Sequence, residues 1–127
     1  MRLWIDDVRP APEGYIWHQT VNEAKKNIVE LENLFNSACN SARYHFVNGN
    51  GIFVEEYLEK AKDYKIELID IDHDAGDYAY DGGDYIRLLD WLEETGRSYP
   101  IRIHSMNPVG VENMRRIIQR NDWTEVR

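Results

Sequence analysis

The sequence predicts an α/β domain built on a mostly parallel sheet, and three observations carry that expectation. Leu3-Trp4-Ile5 is apolar without alternation, as a strand buried on both faces should be, and the hydrophobic runs Leu68-Ile69-Asp70-Ile71 and Ile101-Arg102-Ile103 read as two further buried strands. Between and after them lie stretches with apolar residues at helical spacing, giving the order β-β-α-α-β-α-β-α-β. Strands separated by helices imply parallel pairing through right-handed crossovers.

The elements follow in order. Met1 to Asp6 is the first strand. Val8-Arg9-Pro10-Ala11-Pro12-Glu13-Gly14 follows, where two prolines and a glycine replace the first crossover helix with a loop. Tyr15 to Gln19 is a second, short strand. Thr20 and Glu23 form a capping box that opens a helix with Ala24, Ile28, Leu31 and Leu34 or Phe35 on its buried face. That helix fades near Asn36, residues 37–51 are polar and irregular, and Asn48-Gly49-Asn50-Gly51 makes a turn. Phe53 to Lys62 is a second helix. Ile66 to Asp72 forms the central strand, and residues 75–83 form an acidic loop over its end. Asp84 to Thr95 is a helix closed by Gly96, and Pro100 to His104 is the next strand. Asn107 caps a helix with Pro108 at its first position. Trp123 to Arg127 is a short edge strand. The chain reads as one domain over 1–127, with an insertion or elaborated helical region at about 36–65.

Composition narrows the function. With 127 residues, 43% hydrophobic and 30% charged, the chain has the balance of a globular domain with a core of its own. A formal net charge of −8 argues against general binding to a nucleic-acid backbone, which needs clustered positive charge. It leaves room for a small phosphate ligand, because local geometry and a bound cation override the net field. Cys39 is the single cysteine and has no disulfide partner within the chain, which favours the cytoplasm. No membrane span or signal peptide is visible.

The chemistry concentrates where the apolar runs end. Asp6-Asp7, Asp72-His73-Asp74 and His104-Ser105 are each the polar terminus of a strand, and neighbouring strands of a parallel sheet share one crevice at their carboxyl ends. Adjacent carboxylates repel unless a cation lies between them, so Asp6, Asp7 and Asp72 are candidate ligands of Mg²⁺ or Mn²⁺. Solvation of an acidic turn by Arg9 is the bland alternative. His73 and His104 suit proton transfer as base and acid, with Asp74 orienting an imidazole. Ligation of a transition metal or simple capping of the sheet are the competing readings. A calcium loop starting at Asp70 fails, because Asp81 stands at its twelfth position where glutamate is needed. Ser105, Asn107 and the following helix start offer a phosphate cradle, with ordinary capping as the alternative, and Arg9 is placed to neutralise developing charge.

These residues also resemble a family. Asp6-Asp7-Val8-Arg9-Pro10-Ala11-Pro12, Asp72-His73-Asp74-x-Gly76 and His104-Ser105-x-Asn107-Pro108-x-Gly110-x-Glu112-Asn113-Met114 are similar to the cyclic-phosphate-processing receiver-like domains. The resemblance implies a receiver-like, flavodoxin-type three-layer sandwich with five strands in the order 2-1-3-4-5. It also implies a pocket derived from the response-regulator phosphorylation site, with Asp6 and Asp7 on a cation and Asp72 at the phosphoacceptor position. His104-Ser105 replaces the lone hydroxyl residue of a receiver, and no lysine ends the Trp123–Arg127 segment. Both departures point from phosphorelay towards phosphoester chemistry.

The resulting expectation is a cyclic phosphodiesterase acting on a small cyclic phosphate, a cyclic nucleotide or a 2′,3′-cyclic RNA end. His73, His104 and Asp74 would be catalytic, Ser105, Asn107 and Arg9 would bind phosphate, and Asp6, Asp7 and Asp72 would hold a divalent cation. The alternative is a non-catalytic receiver-like module that senses a phosphorylated ligand or accepts phosphate at Asp72.

Overall fold

A computed structural model of the chain describes residues 1–49 and 51–127, without the side chain of Ile52. Four strands, β1 (Arg2–Ile5), β2 (Tyr15–His18), β3 (Leu68–Ile71) and β4 (Ile101–Ile103), form one parallel sheet in the order β2-β1-β3-β4. The helices are α1 (Val21–Val47), α2 (Gly51–Tyr64), α3 (Ile86–Glu94) and α4 (Pro108–Arg120), with a 3-10 turn at Gly76–Tyr78. This is the receiver-like α/β architecture with its four parallel strands in the expected relative order. The expected fifth strand is reduced to a single parallel bridge from Glu125 to Ile101. Asp122, in a left-handed conformation (φ 54°), precedes it. Residues 6–14 join β1 to β2 without a helix.

Strand register places the core. Leu3 pairs with Ile69, which pairs with Ile101, and Ile5 pairs with Ile71, which pairs with Ile103. These rows face the helices and join Ala24, Ile28, Leu88, Leu92, Met114 and Ile118 in one cluster. The alternate row, Trp17-Trp4-Asp70-Arg102, points the other way and contributes nothing to that cluster. Two crossovers run in one lateral direction, β2 through α1 and α2 to β3, and β3 through α3 to β4. Right-handed connections therefore place their helices on the same side. α1 packs on α3 and α3 on α4, as that arrangement requires. Helices and sheet thus make two layers, not the three expected. The connection that would have covered the second face is the proline-containing loop.

Helix α1 does not fade at Asn36. Buried Val21, Ala24, Ile28, Leu31, Ala38 and Ala42 continue one seam to its end, with half-buried Phe35 in step. The alternating three- and four-residue spacing is that of a helix packed along its length. Leu34 is exposed, so of the two residues offered for that position Phe35 takes it. α2 lies against α1, and small residues at 38 and 42 let the helices approach. Within the expected turn, Asn48 and Gly49 are turn residues, Gly51 opens α2, and Asn50 lies outside the described residues. At 1.5 Å per residue α1 is ~40 Å long, well beyond the four-residue strands, so the α1–α2 hairpin extends away from the strand ends. Among the described residues no helix is long and apolar enough to cross a membrane.

Candidate functional site

The carboxyl ends of β1 and β3 are hydrogen-bonded neighbours, and that pairing brings residues far apart in sequence together. Asp72 N–H donates to Ile5 C=O, which sets Asp6, Asp7 and Asp72 side by side. One carboxylate oxygen from each of the three lies within 4.8 Å of the others. Asp6 is fully buried. Its Oδ1 accepts the backbone N–H groups of Val8 (3.0 Å) and Arg9 (2.8 Å), an Asx-type turn that the loop after β1 supplies. Burial alone raises the Asp6 pKa, but those two N–H groups and His104 outweigh it and hold the carboxyl below its ordinary range.

Asp7 is displaced in the opposite direction. Burial, and then the charges of Asp6 and Asp72, raise its pKa. Gly76 makes the crowding possible: a Cβ there would lie 2.6 Å from Asp7 Oδ2, and its φ of +54° already favours glycine. Three crowded carboxylates with oxygen donors only are a donor set for a hard cation such as Mg²⁺ or Mn²⁺. Beneath them Tyr85 is buried and donates its hydroxyl to Gln19 C=O (2.8 Å). Burial and the Asp7, Asp6 and Asp72 charges raise its pKa strongly, so it is a neutral core residue.

His73 stands next to this cluster on the helix side. Its backbone N–H donates to Asp72 Oδ1 (2.8 Å), and its Nδ1 lies 2.9 Å from Asp74 Oδ1. The Asp74 pKa is lowered first by that hydrogen bond, against burial, and then by Asn107, so the carboxylate accepts and Nδ1 carries the proton. Asn107 Nδ2 lies 3.5 Å from the same Nδ1 and 3.3 Å from Asp74 Oδ2, and a protonated Nδ1 leaves Asp74 as its acceptor. In the neutral ring Nε2 is then the basic nitrogen, and it has no hydrogen-bond partner among the described residues. Gly110 gives the ring its place, since a Cβ there would come within 2.4 Å of it.

His104 occupies a different environment on the open face of the sheet. Its ring stacks on Trp4, with centroids 3.8 Å apart and planes 4° from parallel. Nε2 lies 2.9 Å from Asp6 Oδ2 and Nδ1 lies 2.6 Å from Asp70 Oδ1. Both ring nitrogens are therefore engaged by carboxylates. The two imidazoles do not face one cavity as a base–acid pair: one packs on α4 and the other on β1. The period-two geometry of the strands is the reason, because His73 follows the parity of Ile71 while His104 follows that of Arg102.

The expected phosphate ligands also have defined neighbours. Asn107 Oδ1 caps α4 by accepting Gly110 N–H (3.0 Å), so its side chain is committed at both ends. Ser105 Oγ accepts Asn107 N–H (3.1 Å) and keeps its own proton to donate. Arg9 is exposed and its Nη1 reaches His104 C=O at 3.4 Å, closing the loop after β1 over the end of β4.

A family model described as the cyclic-phosphate processing receiver domain matches residues 52–120. The chain belongs to this family. The match covers α2 through α4 and so includes Asp72, His73, Asp74, His104, Ser105 and Asn107. Asp6 and Asp7 lie ahead of it, and this receiver domain recruits them through the β1–β3 pairing. Comparison with curated proteins and with solved structures returned no match.

Sequence reasoning passed over Asp70 as a site residue. Its signal was there: a carboxylate in the middle of the apolar run Leu68–Ile71, where an uncompensated charge costs several kcal/mol.

Proposed function

We propose that this receiver domain binds and hydrolyses a cyclic phosphate ester, with a divalent cation on Asp6, Asp7 and Asp72. The observation that carries the reading is His73, an imidazole oriented by Asp74 and tethered through its backbone to Asp72 of the carboxylate cluster. The cation would supply charge neutralisation for a phosphoryl oxygen and a site for water. His73 Nε2 takes a proton from the attacking water as the ring P–O bond is broken, and returns it to the leaving alkoxide. Asp74 holds the ring in that tautomer, and Asn107 holds Asp74. The Ser105 hydroxyl and the Arg9 guanidinium bind the remaining phosphate oxygens. His104 supports Asp6 instead of meeting substrate.

Turnover of 2′,3′-cyclic and 3′,5′-cyclic nucleotides, with and without Mg²⁺ or Mn²⁺, tests this. Loss of a general base costs ~10²–10⁴-fold, so His73→Ala is expected to lower kcat by that factor with cation affinity retained. Absence of turnover with every metal, or full activity in His73→Ala, refutes the hydrolase reading. The carboxylate triad itself favours a second reading, phosphate acceptance at Asp72. Labelling by acetyl phosphate that disappears in Asp72→Asn would support that reading in place of hydrolysis.

A further inference from the structure

Asp70 has no part in the chemistry above, yet it is a fully buried acid at the centre of the sheet. Its Oδ1 lies 2.6 Å from His104 Nδ1. Its Oδ2 has no hydrogen-bond partner among the described residues, and Arg102 Nη1 is 3.8 Å away, beyond hydrogen-bond range. An ion pair so placed is poor value for stability alone, since an apolar residue of similar volume would suit the strand as well or better. The carboxylate calls for a different explanation, and His104 supplies one.

Four contacts define the His104 ring. Trp4 fixes its plane, its own backbone N–H is bonded to Ile71 C=O, and Asp70 and Asp6 engage its two nitrogens. Asp6 Oδ1 is already fixed by two backbone N–H groups, so His104 is the group that fixes Oδ2. We infer that Asp70 is a positioning residue: through His104 it holds the Asp6 carboxylate in the orientation that completes the cation site with Asp7 and Asp72. The arrangement extends by one link the carboxylate–imidazole–metal pattern, in which an outer carboxylate orients a ligand it does not itself share. The inference rests on the reading that Asp6, Asp7 and Asp72 hold a cation.

Manganese affinity of the metal-free full chain, followed by loss of the free Mn²⁺ EPR signal, tests it with four variants. Outer-shell partners contribute ~10–100-fold to metal affinity, so Asp70→Asn and His104→Gln are each expected to weaken binding by that factor. The double variant is expected to bind no more weakly than His104→Gln, because Asp70 acts through the imidazole. Arg102→Gln is expected to bind as wild type, which separates positioning from a β3–β4 ion pair. In long-range ¹H–¹⁵N spectra of the metal-free protein, Asp70→Asn is expected to move the His104 ring nitrogens and leave those of His73 in place. Unchanged Mn²⁺ affinity in Asp70→Asn, additive losses in the double variant, or loss in Arg102→Gln overturns the inference. A wild-type chain that binds no Mn²⁺ overturns the cation reading instead; unmoved His104 signals in Asp70→Asn then still overturn Asp70 as its anchor. If Asp70→Asn does not fold, Asp70→Ser, which cannot reach Nδ1, replaces it.

Discussion

Two glycines at the site are defined by what a single methyl group would strike. Gly110, in the first turn of α4, lies directly against the His73 ring, and the 2.4 Å approach of a Cβ cannot be relieved by a rotamer change without moving the ring. Overpacking of this kind costs ~1–3 kcal/mol. Gly110→Ala is therefore expected to lose stability in urea and also to displace His73 from Asp74, so kcat falls with little change in Mn²⁺ affinity. A variant with wild-type kcat would show that the ring position is not critical. Asp7 carries the opposite kind of strain. Its pKa is raised by burial and by Asp6 and Asp72, so its ionised form is a net cost to the cation-free fold. Asp7→Asn is expected to raise the urea midpoint at pH 7 without added metal and to abolish the stabilisation that metal gives. Denaturation with EDTA and with Mn²⁺ reads both halves, and a destabilised variant in EDTA would contradict the first.

At the scale of elements, one contact ties the middle of α1 to the segment entering β4. Glu32 accepts a bidentate hydrogen bond from Arg97 (2.9–3.0 Å) and another from the Tyr99 hydroxyl. Burial raises its pKa, but Arg97 and Tyr99 outweigh burial and hold it below the ordinary glutamate value of 4.5. A depressed acid contributes stability that is present above its unfolded pKa and lost as pH falls through its folded value. Glu32→Gln is expected to cost ~1–3 kcal/mol at pH 7, and the gap from wild type should close as pH falls below 4.5. Urea titrations at pH 7 and pH 3 measure it, and a gap that is constant with pH would assign the loss to packing. The elements themselves were unequally legible. The start of α4 was readable to the residue because Asn107 and Pro108 are local signals, and Asn107 does cap it. The second half of α1 was not, because its buried positions are the small residues Ala38 and Ala42 among polar neighbours, and α2 supplies the missing hydrophobic cover. Strand-end acids announced the site, but the direction of each histidine depends on strand parity after the last paired residue. Asp70 required knowledge that His104 crosses over β3 to reach Asp6. The fifth strand failed for a related reason: a segment at a sheet edge is held by few bonds, and its sequence says little about how many form.

At the scale of the molecule, the site is at one end of a sheet with helices on a single face, while the α1–α2 hairpin extends from the other end. The three carboxylates come together only in the fold, because Asp72 is separated from Asp6 and Asp7 by the whole of β2, α1 and α2. An unfolded chain therefore offers a divalent cation at most the adjacent pair, and the folded chain offers all three. Any ligand that prefers the folded state stabilises it by RT ln(1 + [L]/Kd), about 2.7 kcal/mol at a hundred times Kd. Mg²⁺ or Mn²⁺ is thus expected to raise the urea midpoint in a saturable way, with the m-value unchanged because the exposed surface is the same. Sodium chloride at matched ionic strength screens repulsion among the acids of a chain with net charge −8, and gives the baseline to subtract. Asp72→Asn is expected to keep the salt response and lose the divalent one. Equal shifts from divalent and monovalent salt in the wild type would mean that the acids respond to screening alone, and the cation site would have to be abandoned.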